Sequence, residues 1–362
     1  MKRNPLAILA LALCSLMPAN AAENTVKYTD ATRLTIVNKA RPDGPDLQRI
    51  DVARYPDLTP IVARYYRQPT GLAIVFRTDS RNLYARWTTT GQTPKVNSPL
   101  VSQRGLDLYI RQNGEWVYAG SGNPKIRGSE HEAPLVEHMD GTMHECLLYL
   151  PLFDEISRLE IGVDENARLE AAPNPFRHKV VVIGSSITHG TAASRPGMAY
   201  PARLNRTLGF EFPNLGASGQ CKLDAFYAHI AAETEADAFL FDVFSNPSAQ
   251  QIEERLEPFV ERIRQAHPDT PLIFLQTEVR ESGNFDLEKR AYEEAKRQAA
   301  AERLERLMKK DKHIHFIDPG MPLGNDHEAT VDGVHPTDLG FDRMLNEIQP
   351  KIARILKKYG IQ

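Results

Sequence analysis

Four short stretches in the second half of the chain carry the side chains best suited to chemistry. In Gly184-Ser185-Ser186-Ile187-Thr188-His189-Gly190 the first glycine lets the chain turn sharply, and the turn can lift a serine hydroxyl clear of its surroundings. Ser186 is therefore a candidate nucleophile, although Thr188 stands where a full Gly-x-Ser-x-Gly elbow has its second glycine. Asn214-Leu-Gly216-Ala-Ser-Gly219 supplies glycines that allow a backbone N–H to approach a ligand unobstructed. Asp242-Val-Phe-Ser245-Asn246-Pro247 offers Asn246, whose amide can donate to a developing negative charge. In Asp332-Gly-Val-His335-Pro336 the carboxylate and imidazole are three residues apart, within reach of one turn. The acid can then hold one ring nitrogen and leave the other free to take a serine proton. Taken singly, each stretch also fits a plain turn.

For these groups to meet, the elements before them must end at one place. Apolar runs at 178–184, 238–241, 272–275 and 315–317 read as central strands buried on both faces. Helical patterns at 199–208, 249–266, 285–310 and 340–358 separate or follow them; in the last, Phe341, Met344, Ile348, Ile352 and Ile355 mark one apolar face. Alternating strands and helices predict a mainly parallel sheet covered on both sides over 173–362, and in such sheets ligands gather at the carboxyl ends of the strands. The first half has another periodicity. Short strands are expected at 71–77, 83–87, 106–111, 115–118, 146–150 and 159–163, with Asn113-Gly114 as a tight hairpin turn. With no convincing amphipathic helix among them, 23–172 is expected to form an all-β, sandwich-like domain.

The four stretches, in chain order and each at a strand's carboxyl end, resemble the blocks of the SGNH (GDSL-type) hydrolases over roughly Lys179 to Tyr359. The resemblance implies a flavodoxin-like three-layer α/β/α domain and a serine esterase that needs neither metal nor cofactor. Matched block by block, it makes Ser186 the nucleophile, His335 the base and Asp332 its orienting acid. It makes the N–H groups of Ser186 and Gly219 and the side chain of Asn246 the oxyanion hole. Two departures stand out: Ser185 replaces the acidic residue usual before the serine, and Ser-Asn-Pro replaces Gly-x-Asn-Asp. Gly105-Leu-Asp-Leu-Tyr109 is similar to the Gly-x-Asp-Leu-Tyr signature of a β-rich domain that precedes SGNH domains in exported bacterial proteins. His189, Glu278 and Arg280 lie near the expected strand ends and are candidate substrate contacts.

The chain's start and composition narrow the setting. Lys2 and Arg3, the apolar run from Leu6 to Met17 and Ala19-Asn20-Ala21 read as a cleaved export signal over residues 1–22, too short to span a bilayer. A periplasmic or secreted protein with no transmembrane segment in its mature chain is expected. The 44 Lys and Arg against 47 Asp and Glu, with no run of one sign, give a net charge of −3 and argue against nucleic acid as a partner. Three cysteines exclude a disulfide-stapled scaffold, and Cys146 and Cys221 are expected to be buried, unpaired thiols. His131, His138 and His144 fit no ligand spacing, and no metal site is assigned to them. The expected substrate is an acylated carbohydrate, cleaved by an O-acetylesterase. The rivals are a lipid-directed esterase or thioesterase and, in another class, a glycan-binding protein without activity.

Overall fold

Val180–Gly184, with five successive buried residues, is the kind of run that only a strand covered on both faces can satisfy. In the computed structural model, which describes residues 25–362, it lies in the interior of a parallel sheet. The expected export signal lies outside the described residues.

The antiparallel part comes first. Its strands are β1 (Val26–Asp30), β2 (Thr35–Val37), β3 (Ala73–Thr78), β4 (Leu83–Thr89), β5 (Leu106–Gln112), β6 (Glu115–Gly122), β7 (Glu130–Val136), β8 (His144–Tyr149), β9 (Ile156–Asp164) and β10 (Leu169–Ala171). They form one sheet of order β1-β9-β4-β7 and a second of order β10-β3-β8-β5-β6, with β2 added on β3. Ile74, Phe76, Trp87, Leu108, Leu148 and Ile161 fill the space between the sheets. The expectation of an uninterrupted β region needs correction. Helix α1 (Pro60–Arg67) follows a Thr59 cap whose hydroxyl accepts from the Val62 N–H, and a short α2 (Leu100–Arg104) precedes β5.

The parallel sheet contains β11 (Val180–Gly184), β12 (Asn214–Gly216), β13 (Ala238–Asp242), β14 (Leu272–Leu275) and β15 (Ile314–Ile317), in the order β12-β11-β13-β14-β15. That is the flavodoxin-like order, and its switch point lies between β11 and β13. A short α3 (Ser186–His189) follows β11. The longer helices are α4 (Tyr200–Leu208), α5 (Ala225–Glu233), α6 (Ala249–Ala266), α7 (Leu287–Lys310) and α8 (Asp338–Lys357). Strand side chains alternate between two cores. Val181, Ile183, Phe239 and Phe241 meet α5, α6 and α7, whereas Val180, Val182 and Leu240 meet α4 and α8. The result is three layers, α/β/α. Among the described residues no helix is long and apolar enough to cross a membrane.

Candidate active site

The turn after β11 is tight because two glycines permit it. A Cβ on Gly184 would lie 2.0 Å from Thr188 Oγ1, and one on Gly216 would lie 2.3 Å from the His189 nitrogen. Only bare backbone lets α3 settle onto the ends of β11 and β12. Ser186 opens α3, so its N–H has no partner within the helix. Gly219, at φ +73°, belongs to the loop after β12, and a Cβ there would meet nothing within 4 Å. Its constraint is conformational, since its φ lies in the left-handed region.

The loop before α8 brings the other groups to the serine. Thr330 and Pro336 pair across it, and the Val331 N–H donates to the His335 carbonyl at 3.0 Å. His335 Nε2 lies 2.8 Å from Ser186 Oγ, and its Nδ1 lies 2.7 Å from Asp332 Oδ2. The other carboxylate oxygen, Oδ1, accepts from the N–H groups of Val334 and His335 at 3.1 and 2.9 Å. Partial burial pushes the Asp332 carboxyl up, but hydrogen bonds from Asn97 and from His335 outweigh it and hold it at about 2. The carboxylate thus stays charged, favours the Nδ1–H tautomer and leaves Nε2 to accept from the serine hydroxyl.

Asn246 follows β13 at the switch point, its side-chain oxygen Oδ1 buried and without a partner among the described residues. The preceding Ser245 carbonyl accepts from Lys296 Nζ of α7 at 3.0 Å and also from the Arg280 guanidinium. Glu293 lies between those cations, 2.6 Å from Lys296 Nζ and 3.2 Å from Arg280 Nη1. This ionic cluster fixes the turn that presents Asn246.

The three expected substrate contacts are placed otherwise. His189 is fully buried: its Nε2 lies 2.8 Å from the Leu152 carbonyl, its ring stacks on Phe153, and its Nδ1 accepts from the Ser218 N–H at 3.4 Å. Burial, with Arg49 and Lys95 nearby, keeps it well below the ordinary histidine range and neutral. It supports the Gly219 loop from beneath. Glu278 is buried beside Asp242, and burial and that neighbour's charge raise its carboxyl. His189 and Glu278 are thus buried, and Arg280 is half-buried with Glu293 and Ser245 as its partners.

Sequence reasoning missed the contribution of the β domain. The segment between β4 and α2 reaches across to both ends of the site. Asn97 Nδ2 donates to Asp332 Oδ2 at 3.0 Å, and Lys95 Nζ donates to Ser218 Oγ at 2.9 Å. An open groove of about 580 Å³ runs beside this segment, lined by Val96, Asn97, Ser98, Ser194, Val331 and Leu339 among others. A cavity of about 680 Å³ between α5 and α6 contains none of these groups.

Comparison with known proteins agrees with this geometry. A family model of GDSL-like lipases/acylhydrolases matches residues 177–353, and a model of the N-terminus of SGNH-hydrolase-type esterases matches residues 26–169. A protein of Bacteroides ovatus ATCC 8483 described as a GDSL-like lipase is 46% identical, with a TM-score of 0.90 over 92% of this chain and 98% of that one. The salicylyl-acyltransferase SsfX3 of a tetracycline biosynthetic pathway (20% identity, TM-score 0.70, covering 91% and 97%) shares the fold. So does an acetyl xylan esterase of the rumen bacterium Butyrivibrio proteoclasticus (13%, 0.56, covering 93% and 99%). No curated protein matches the chain. Since both halves are matched, and the Bacteroides protein is similar along almost its whole length, the chain belongs to the GDSL-like lipase/acylhydrolase family and is a carboxylic ester hydrolase.

Proposed function

We propose that the protein is an exported carbohydrate O-acetylesterase working through Ser186, His335 and Asp332. The observation that carries the reading is the continuous chain Ser186 Oγ–His335 Nε2 at 2.8 Å and His335 Nδ1–Asp332 Oδ2 at 2.7 Å. His335 takes the Ser186 proton as Oγ attacks the ester carbonyl. The tetrahedral oxyanion is met by the N–H groups of Ser186 and Gly219 and by the Asn246 amide. His335 then protonates the departing sugar oxygen as the carbonyl–oxygen bond breaks. Water, deprotonated by the same imidazole, attacks the acyl-serine and releases acetate and free Ser186.

The open groove beside Asp332 supports a sugar substrate. Its walls mix the polar Asn97, Ser98 and Ser194 with Val96, Val331 and Leu339, which suits a hydroxylated chain lying across the surface. The fold shared with an acetyl xylan esterase supports the same substrate class. Export rests on the charged, apolar and small-residue pattern of residues 1–22.

The test is ester cleavage by the wild type and by Ser186→Ala, using p-nitrophenyl acetate, longer-chain esters and acetylated xylan. Turnover is expected to fall with acyl length and to drop by roughly 10⁴-fold or more in Ser186→Ala. Asn246→Ala should lose on the order of a hundred- to a thousandfold in kcat. Activity that rises with chain length would replace the sugar reading with a lipid one. Equal inertness of wild type and mutant on every ester would leave a glycan-binding role.

A further inference from the structure

Lys95 is an unusual cation. Its ammonium lies 4.1 Å from the centre of the Phe153 ring and 5.5 Å from that of Tyr65, and its hydrogen-bond acceptor is the neutral Ser218 hydroxyl. Among the described residues no carboxylate comes within 4.0 Å of it, or of Arg64, which stacks on the other side chain of this patch, Tyr65. Arg64 Nε is likewise buried without a partner. Burial, and then the charge of Arg64, lower the Lys95 amine to about 8. Lys95 and Arg64 are only partly buried, and a half-buried cation without a counter-charge is still disfavoured relative to a paired one.

The backbone carrying Lys95 is nevertheless rigid. Its N–H donates to Gln103 Oε1 at 2.7 Å, and its carbonyl accepts from Gln103 Nε2 at 3.0 Å. The same Gln103 amide donates to the Ser98 carbonyl, and Ser98 Oγ accepts from the Ala192 N–H. Ser218, which Lys95 touches, immediately precedes Gly219, where a Cβ would meet nothing within 4 Å. A fixed, uncompensated cation next to the carbonyl-binding position can favour a substrate that brings its own negative charge.

We infer that Lys95, with Arg64 beside it, forms a subsite for a carboxylate of the substrate, so that the preferred ester belongs to an acidic compound rather than a neutral one. The inference rests on the hydrolase reading above. The carboxylate belongs either to the alcohol half, as in an acetylated uronic-acid oligosaccharide, or to the acyl half, as in a hemisuccinate.

Two pairs of substrates separate these sources: acetylated oligogalacturonate against acetylated xylo-oligosaccharide, and p-nitrophenyl hemisuccinate against p-nitrophenyl butyrate. In at least one pair the wild type should favour the acidic member in kcat/KM. Lys95→Met, which keeps an unbranched stem over Phe153, should reduce that preference about tenfold, chiefly through KM. The pair that responds identifies which half carries the charge; if neither preference changes, the subsite is refuted. A second measurement needs no esterase activity. Oligogalacturonate should bind Ser186→Ala more tightly than xylo-oligosaccharide, and raising salt from about 50 to 500 mM should weaken that binding. Inertness of the wild type on every ester would overturn the hydrolase reading, while this binding comparison, repeated with Lys95→Met added to Ser186→Ala, would still decide a subsite for a carboxylate on the alcohol half. Equal, salt-independent binding of both oligosaccharides, together with unmoved substrate preferences, would overturn it.

Discussion

Asn97 occupies a loop of the β domain, 235 residues before the acid it touches. Its amide is one of the groups that hold the Asp332 carboxyl at about 2, against the upward push of partial burial. A carboxylate depressed in this way adds stability at pH values above its unfolded pKa of about 4, and that contribution is lost as pH falls towards about 2. In Asn97→Ala the native pKa should move up towards the unfolded one. The variant should therefore melt below the wild type at pH 5–7, and the gap should close as the pH approaches 2. A gap of constant size would assign Asn97 a packing role alone. In activity, a less firmly held acid should lower kcat about tenfold and change KM little. No local spacing could have revealed Asn97, because its meaning depends on which loops the fold brings together. Ser186, Asp332 and His335 were legible because four stretches in chain order, each at a strand's carboxyl end, together resemble the blocks of a known family, whereas each alone fits a plain turn.

At the scale of elements, neighbouring strands of the parallel sheet deliver two carboxyls to one buried place. Asp242 ends β13, Glu278 lies just beyond β14, and Glu278 Oε2 has no hydrogen-bond partner among the described residues. Burial raises both acids, and the charge of Asp242 raises Glu278 further. The native state then holds protons that the unfolded chain releases near pH 4 to 5. Stability is fully present below that range and declines as pH rises through the native values. Glu278→Gln cannot ionise, so its melting temperature should gain on the wild type between pH 5 and 9 and match it most closely near pH 4. A pH-independent difference would contradict this assignment. The elements themselves were unevenly legible. Long amphipathic helices such as α6 follow from their periodicity, with Ile252, Leu256, Phe259, Val260 and Ile263 buried on one face. Strand β7 escaped notice because it is an edge strand of alternating exposed and buried residues with Pro134 inside it, a residue that edges tolerate. Helix α1 is short and buries only Val62 and Tyr66, yet Thr59-Pro60 is a recognisable helix start that the strand-rich surroundings obscured.

For the whole molecule, the expected division into a β domain and a catalytic domain describes the sheets better than it describes the packing. Ala40, Ile50, Tyr55, Val62 and Tyr66 come from the first half, yet they join the core formed by β11, β13, α5, α6 and α7. Arg49, 1% exposed, donates to the carbonyls of Asn214 at 3.0 Å and Gly216 at 2.8 Å, and so holds the strand that leads to the Gly219 loop. It also donates to the Gln68 carbonyl at 3.1 Å. Arg49→Met would leave these buried carbonyls without donors and should cost on the order of 3 kcal/mol in urea unfolding. Arg49→Lys should rescue little of this, since an ammonium cannot reproduce the planar fork. Residues 173–362 expressed alone would expose that core face and lack Lys95 and Asn97. The expected result is a fragment without a cooperative thermal transition and without ester cleavage. A fragment that melts cooperatively and retains full activity would show instead that the first half is an accessory, and that the contacts of Arg49 and Asn97 are dispensable for both folding and catalysis.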